Sequence, residues 1–219
     1  MQRALALAVS LAASLAAAPA ADAALLATDT RCYQETQDVV LGGTAFAPMA
    51  PVSITQDAKP LGTADTDAAG TFQRKFAAPE LARGVREQIF TLAGTDAAGA
   101  TGTVHYRTTK IFADFSPDSG DPKTLRVRFS VNGFGLLRRR ASVYLHYVSP
   151  SGKVRRDVRL GTAVGTCGKI RRTRKRHLFP FPAERGRWVL QFDTNKTYRR
   201  ATSRSKYIWV RKPVEIFKG

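Results

Sequence analysis

The sequence predicts an all-β protein of two antiparallel β-sandwiches in tandem, following an export leader. Three observations carry that expectation. Short runs alternate apolar and polar residues, turn clusters recur about every ten residues, and an internal repeat returns after roughly one sandwich length. A chain of 219 residues has room for two domains of about 100 residues each. Its 43% hydrophobic and 24% charged residues exclude wholesale disorder.

Residues 1–23 read as a signal peptide. Arg3 supplies the positive start, and Ala4 to Ala18 is apolar except for Ser10 and Ser14. Pro19 and an Ala21-Asp22-Ala23 exit follow, an A-x-A pattern that a signal peptidase reads. The apolar run falls short of the roughly 20 residues that span a bilayer. A membrane anchor is the competing reading, and the small-residue exit speaks against it. The expected mature chain starts near Ala24, is secreted or otherwise extracytoplasmic, and has no transmembrane segment.

The first sandwich is expected over 24–109. Val52-Ser53-Ile54 and Ile89-Phe90-Thr91-Leu92 read as strands, and Asp67-Ala68-Ala69-Gly70 and Asp96-Ala97-Ala98-Gly99 as turns. Pro79 to Arg83 leaves room for a single helical turn. The second sandwich is expected over 110–219. Leu125–Val131 alternates with period two, as do Val143–Tyr147 and Trp188–Phe192, with a turn at Ser149-Pro150-Ser151-Gly152. The halves also match each other. Leu61-Gly62-Thr63-Ala64 recurs as Leu160-Gly161-Thr162-Ala163. A glycine turn (Gly70, Gly168), a Glu/Arg/Gly group and a further strand follow each in the same order.

Gly43-Thr44-Ala45-Phe46-Ala47-Pro48, then Val52-Ser53-Ile54, then Asp67-Ala68-Ala69-Gly70-Thr71-Phe72 resembles bacterial secreted Ig-like domains. In those a G-x-x-F-x-P-G segment precedes a V-x-V strand, and a D-x-x-G-x-F hairpin follows. The match covers about residues 36–107, with Met49 where the usual turn glycine falls. The second half is similar to the basic partner such domains carry in exported actinobacterial proteins. The resemblance implies two tandem Ig-like antiparallel β-sandwiches and an adhesive or spacer role. It speaks to fold more than to function.

Cys32 and Cys167 are the two cysteines. Pairing is favoured in an oxidising compartment, with buried free thiols or an intermolecular bond as the alternatives. Either way they read as structural.

Catalytic signals are sparse. His105, His146 and His177 each lie in a strand-like context and belong to no metal or protease motif. Each reads as an exposed or satisfied polar side chain. No nucleophile elbow, P-loop or dinucleotide glycine pattern occurs. Asp65-Thr66-Asp67 fits turn capping better than calcium. No cofactor, metal or catalytic residue is expected, and the chain reads as a non-enzyme.

Charge is the strong signal. Residues 24–109 carry 7 Lys/Arg and 9 Asp/Glu, net −2, whereas 110–219 carry 27 and 7, net +20. Lys169 to Arg176 holds six cations in eight residues. The expected contacts for a polyanion are Arg171, Arg172, Arg174, Lys175 and Arg176, with Arg138, Arg139 and Arg140 joining only if the fold brings that loop alongside. Residues 171–177 show no apolar face as a strand, so the run is expected to project or lie on an exposed edge. There charge also blocks edge-to-edge aggregation, which is the plainer explanation. Net +20 exceeds what aggregation control needs, and Arg suits bidentate contact with phosphate and carboxylate. The partner expected is an anionic envelope polymer or glycan, with cell-wall association. The alternatives are an Ig-like spacer without a polyanion ligand and non-sequence-specific nucleic-acid binding. Tyr198, Tyr207 and Trp209 flank the basic segments and read as core residues before stacking platforms.

Overall fold

Period-two alternation becomes strand wherever the apolar set finds an opposing sheet. The computed structural model describes residues 23–200 and 207–217, so the leader read over 1–23 lies outside the described residues except for Ala23. Fifteen strands follow one another among them. The first eight are β1 (Leu25–Thr28), β2 (Cys32–Gln34), β3 (Asp38–Thr44), β4 (Pro51–Gln56), β5 (Lys59–Asp65), β6 (Phe72–Ala77), β7 (Glu87–Asp96) and β8 (Thr101–Thr109). The rest are β9 (Phe112–Ser116), β10 (Arg126–Asn132), β11 (Ser142–Val148), β12 (Val154–Thr162), β13 (Arg176–His177), β14 (Gly186–Asp193) and β15 (Trp209–Ile216).

These strands form two sheet pairs. In the first, β1-β3-β6 faces β2-β8-β7-β4-β5, with β2 added parallel to β8. In the second, β9-β10-β13 faces β12-β11-β14-β15. Without β2 the two orders are the same, strand for strand. One sheet takes the first, second and fifth strands, and the other takes the third, fourth, sixth and seventh. That Greek-key distribution is the Ig-like sandwich. Each half has its own core. One gathers Leu41, Ile54, Leu92 and Tyr106 among others, and the second gathers Phe129, Leu145, Trp188 and Phe192. The protein is all-β, and no helix occurs among the described residues.

The repeat has a structural cause. Gly62 faces Ile54 where the β4–β5 pairing slips, and Gly161 faces Val143 where β11–β12 slips. Both glycines have positive φ, 110° and 147°. The bulge in each half therefore demands the same residue. Gly70 and Gly168 also correspond. The Phe46 N–H donates to Gly70 O at 3.2 Å, and the Phe134 N–H to Gly168 O at 3.0 Å.

One expectation is corrected. Residues 79–83 form no helical turn: the Leu81 N–H donates to the Glu35 carboxylate at 2.6 Å, and Lys110 Nζ donates to the Leu81 carbonyl at 2.9 Å. Leu81 is thereby drawn into the first core. The Met49 position, in contrast, keeps the backbone a glycine would adopt, with φ 51° on an exposed methionine.

Cys32 and Cys167 are bonded, joining β2 to the β12–β13 connection. The bond fits an oxidising compartment. Around it the halves meet through polar contacts. Asn132 Nδ2 donates to Thr109 Oγ1 at 2.6 Å and to Arg86 O at 3.1 Å. The Arg86 guanidinium lies 4.1 Å from the centre of the Phe112 ring.

Candidate functional site: a cationic sheet edge

Strand β10 sends Val127, Phe129 and Val131 into the core, so Arg126 and Arg128 face outward. One side of β10 pairs with β9, and the basic run occupies the other. Ile170 and Val131 exchange backbone hydrogen bonds at 3.0 Å, and Arg176 and His177 pair with Val127 and Arg126. Between these anchors Thr173 turns inward. Its N–H donates to Phe129 O at 2.9 Å, and its hydroxyl accepts from Phe129 N at 3.0 Å. The run is thus an irregular edge strand whose inward positions are Ile170, just before the 171–177 segment, and the polar Thr173. A threonine serves there because its hydroxyl replaces a missing backbone partner.

Of the five expected contacts, Arg171, Arg172, Arg174 and Lys175 are exposed and Arg176 is half-buried. They do not all face one cavity. Arg171 lies at the junction between the halves, lining a cavity with Arg86, Glu87 and Phe112. Lys175 and Arg176 line a separate groove with Lys123, Arg126 and Arg156. The loop carrying Arg138, Arg139 and Arg140 is elsewhere, lining a cavity with Asp29, Arg31 and Cys32 beside the disulfide.

Arg126, Arg128 and Arg156 are the cations that the basic run did not announce. Arg126 Nη2 lies 3.5 Å from Lys175 O, and Arg128 Nη1 lies 3.4 Å from Thr173 O. Arg156 Nη1 donates to Pro180 O at 3.2 Å. The polar phase of the Leu125–Val131 alternation was the available signal for the first two. Among the described residues, no carboxylate pairs with Arg126, Arg128, Arg171, Arg172, Arg174, Lys175 or Arg176. Lys169 differs, lying 3.7 Å from Glu87. An edge of unpaired cations repels itself, and an anionic partner relieves that repulsion.

The opposite sheet of the second sandwich holds a polar cluster on its outer face. His146 Nδ1 lies 2.6 Å from Asp157 Oδ1, and Nε2 lies 3.0 Å from Asp193 Oδ1. Gln191 Nε2 donates to Asp193 Oδ2 at 2.7 Å, and Arg211 Nε donates to Gln191 Oε1 at 2.9 Å. Burial disfavours the imidazolium, but hydrogen bonds to Asp193 and Asp157 outweigh it and hold the His146 pKa above its ordinary value. Tyr198 and Trp209 sit here rather than in the core. Tyr198 packs edge-on against His146 at 5.7 Å, and Trp209 lies under the Arg211 guanidinium. Among the described residues no Ser, Thr or Cys hydrogen-bonds to His146.

Asp67 caps its turn. It accepts from the N–H groups of Ala69 and Thr71 at 2.9 Å and from the Thr71 hydroxyl at 2.6 Å. Those bonds hold its carboxyl below the usual range, Thr71 contributing most. Among the described residues no cluster of His, Cys, Asp or Glu has the form of a metal site.

No protein-family model and no curated protein matches the chain. Solved structures similar to it include the D00-D0 domain of intimin, at 13% identity and a TM-score of 0.42, covering 89% of this chain and all of that one. A tetra-tandem repeat from the extending region of a large adhesion protein matches at 11% identity and a TM-score of 0.31, covering 88% of this chain. Dimeric latent PorU from Porphyromonas gingivalis matches at 12% identity and a TM-score of 0.32, covering 93% of this chain. The chain spans 48% of the adhesion-protein structure and 21% of PorU. The fold assignment rests on the strand order above and not on these distant likenesses.

Proposed function

We propose that this is a non-enzymatic extracytoplasmic binding protein that holds an anionic envelope polymer or glycan along the β10–β13 edge. The single observation that carries the reading is a set of seven cations, five along the edge run and two on the adjoining β10, with no carboxylate partner among the described residues. A polymer suits it because the cations are strung along the strand and no single cavity gathers them. The near-neutral first half then serves as a spacer, fixed to the binding half by Cys32–Cys167. Residues 24–109 and 110–219 are proposed as the two functional units.

The experiment is binding of the purified chain to cell wall, to heparin and to duplex DNA across a salt series. Wall or acidic glycan binding tighter than DNA binding at physiological salt supports the reading. DNA binding tighter than either favours the nucleic-acid alternative, and no binding to any of them leaves a spacer.

A further inference from the structure

One groove of the cationic edge has a chemistry that a linear polyanion does not require. It lies where residues 179–183, just after β13, pass over β11 and β12, and its volume is about 870 Å³. Small-molecule sites commonly enclose roughly 300–1,000 Å³. Its floor is aromatic and aliphatic: Tyr147 and Phe179 are buried there, and Phe181 and Val158 are half-exposed to it. The rings of Tyr147 and Phe181 lie 5.4 Å apart, those of Phe179 and Phe181 5.9 Å. Lys123, Arg126, Arg156, Lys175 and Arg176 surround the mouth.

This lining is poor in side-chain acceptors, His177 and the Tyr147 hydroxyl being its neutral polar groups. It contains no Asp, Glu, Asn or Gln. The Tyr147 hydroxyl already donates to Leu178 O at 2.8 Å, and the carbonyls of Pro180 and Lys175 face Arg156 and Arg126. A polyhydroxylated sugar seated here would find few acceptors for its hydroxyl donors, each one buried unpaired costing about 1–3 kcal/mol. An apolar body with an anionic end meets no such penalty. Its body covers the rings, and its charge meets guanidinium groups that match phosphate geometry.

We propose that the groove binds one acidic amphiphile of lipid type, an alkyl chain ending in phosphate. The chain lies over Phe179, Phe181 and Val158, and the phosphate sits at Arg126, Arg156 and Arg176. This goes beyond polymer binding, since it depends on the apolar floor. Arg172 and Arg174 lie outside the groove, so heparin binding by Arg172→Ser and Arg174→Ser reports on the polymer reading separately.

The test uses dodecyl phosphate below its micelle-forming concentration, followed by calorimetry and by the fluorescence of Trp188 in a Trp209→Phe background. That indole packs 5.2 Å from Phe179 and 5.5 Å from Phe181. One site per chain is expected, with inorganic phosphate and dodecyl maltoside each binding at least tenfold more weakly. Phe181→Ser, Val158→Ser and Arg156→Ser each lower dodecyl phosphate affinity at least fivefold. Val158 and Arg156 lie on edge strand β12, so their variants carry the test if Phe181→Ser fails to fold. Dodecyl phosphate binding no tighter than inorganic phosphate overturns the proposal, as does unchanged affinity in folded Val158→Ser and Arg156→Ser.

Discussion

Phe134 donates its backbone N–H to the carbonyl of Gly168 at 3.0 Å, and a side chain on Gly168 has no room beside that bond. A Cβ there would fall 2.1 Å from Gly135 N, at φ 74°. The corresponding pair in the first half, Phe46 and Gly70, shows the same conflict, with a Cβ 2.2 Å from Phe46 O. Each glycine pins the second-to-third strand connection against the turn that leads to the fifth strand. Gly168→Ala and Gly70→Ala are expected to destabilise their own half by about 2 kcal/mol or more, since strained φ alone costs roughly 1–3 kcal/mol. Chemical denaturation of each variant checks this.

Met49 offers the opposite change. Its φ of 51° and its exposure mean that a glycine relieves strain without losing packing. Met49→Gly is expected to raise stability by roughly 0.5–1 kcal/mol, the left-handed penalty less the entropy of an added glycine. Thermal melting reads this as an increase of a few degrees.

His146 makes stability fall on the alkaline side. Its folded pKa is raised, so its contribution is full below the unfolded value near 6.5 and is lost as pH rises through the folded value. Asp157 faces it from β12 and Asp193 from β14, and Arg211 on β15 reaches Asp193 through Gln191. His146→Gln should flatten the decline of unfolding free energy above about pH 6.5. The acid side has the reverse sign. Asp67, Asp96 and Asp121 accept backbone or Thr hydrogen bonds that hold their pKa values down, so their contributions are lost as pH falls through those lowered values.

The Cys32–Cys167 bond closes a separation of 135 residues. The chain-entropy model assigns such a loop roughly 5 kcal/mol. Cys32→Ser/Cys167→Ser, made together, should melt at lower temperature and, under limited proteolysis, cut first near Thr109–Lys110. Unchanged melting and unchanged cleavage would show that the polar contacts of Asn132 and Arg86 suffice.

The sequence made some of this legible for identifiable reasons. The LGTA repeat was visible because both bulges need a glycine at the same strand position. The Gly70 and Gly168 turns were visible as well, but their bonds to Phe46 and Phe134 were not, because a backbone N–H carries no residue signature. The basic run was plain as a string of letters, yet nothing in that string marks Thr173 inside it as an inward anchor. Arg126 and Arg156 meet Lys175 and Pro180 across 49 and 24 residues, and only the fold brings them together. His146 reads as an ordinary strand histidine because its partners are 11 and 47 residues away.

The central claim is that the β10–β13 edge binds polyanion through its unpaired cations. The most direct measurement compares the salt dependence of binding for the native chain and for a variant with Arg171, Arg172, Arg174, Lys175 and Arg176 all changed to Ser. Duplex DNA serves as a polyanion of uniform charge, for which each lost phosphate contact reduces the slope of log K against log salt by about 0.9. The expected result is a slope shallower by roughly 3–4 and binding weakened at least a hundredfold at low salt, with the melting temperature preserved. A folded variant with the native slope and affinity would contradict it and return the charge to a surface property without a ligand.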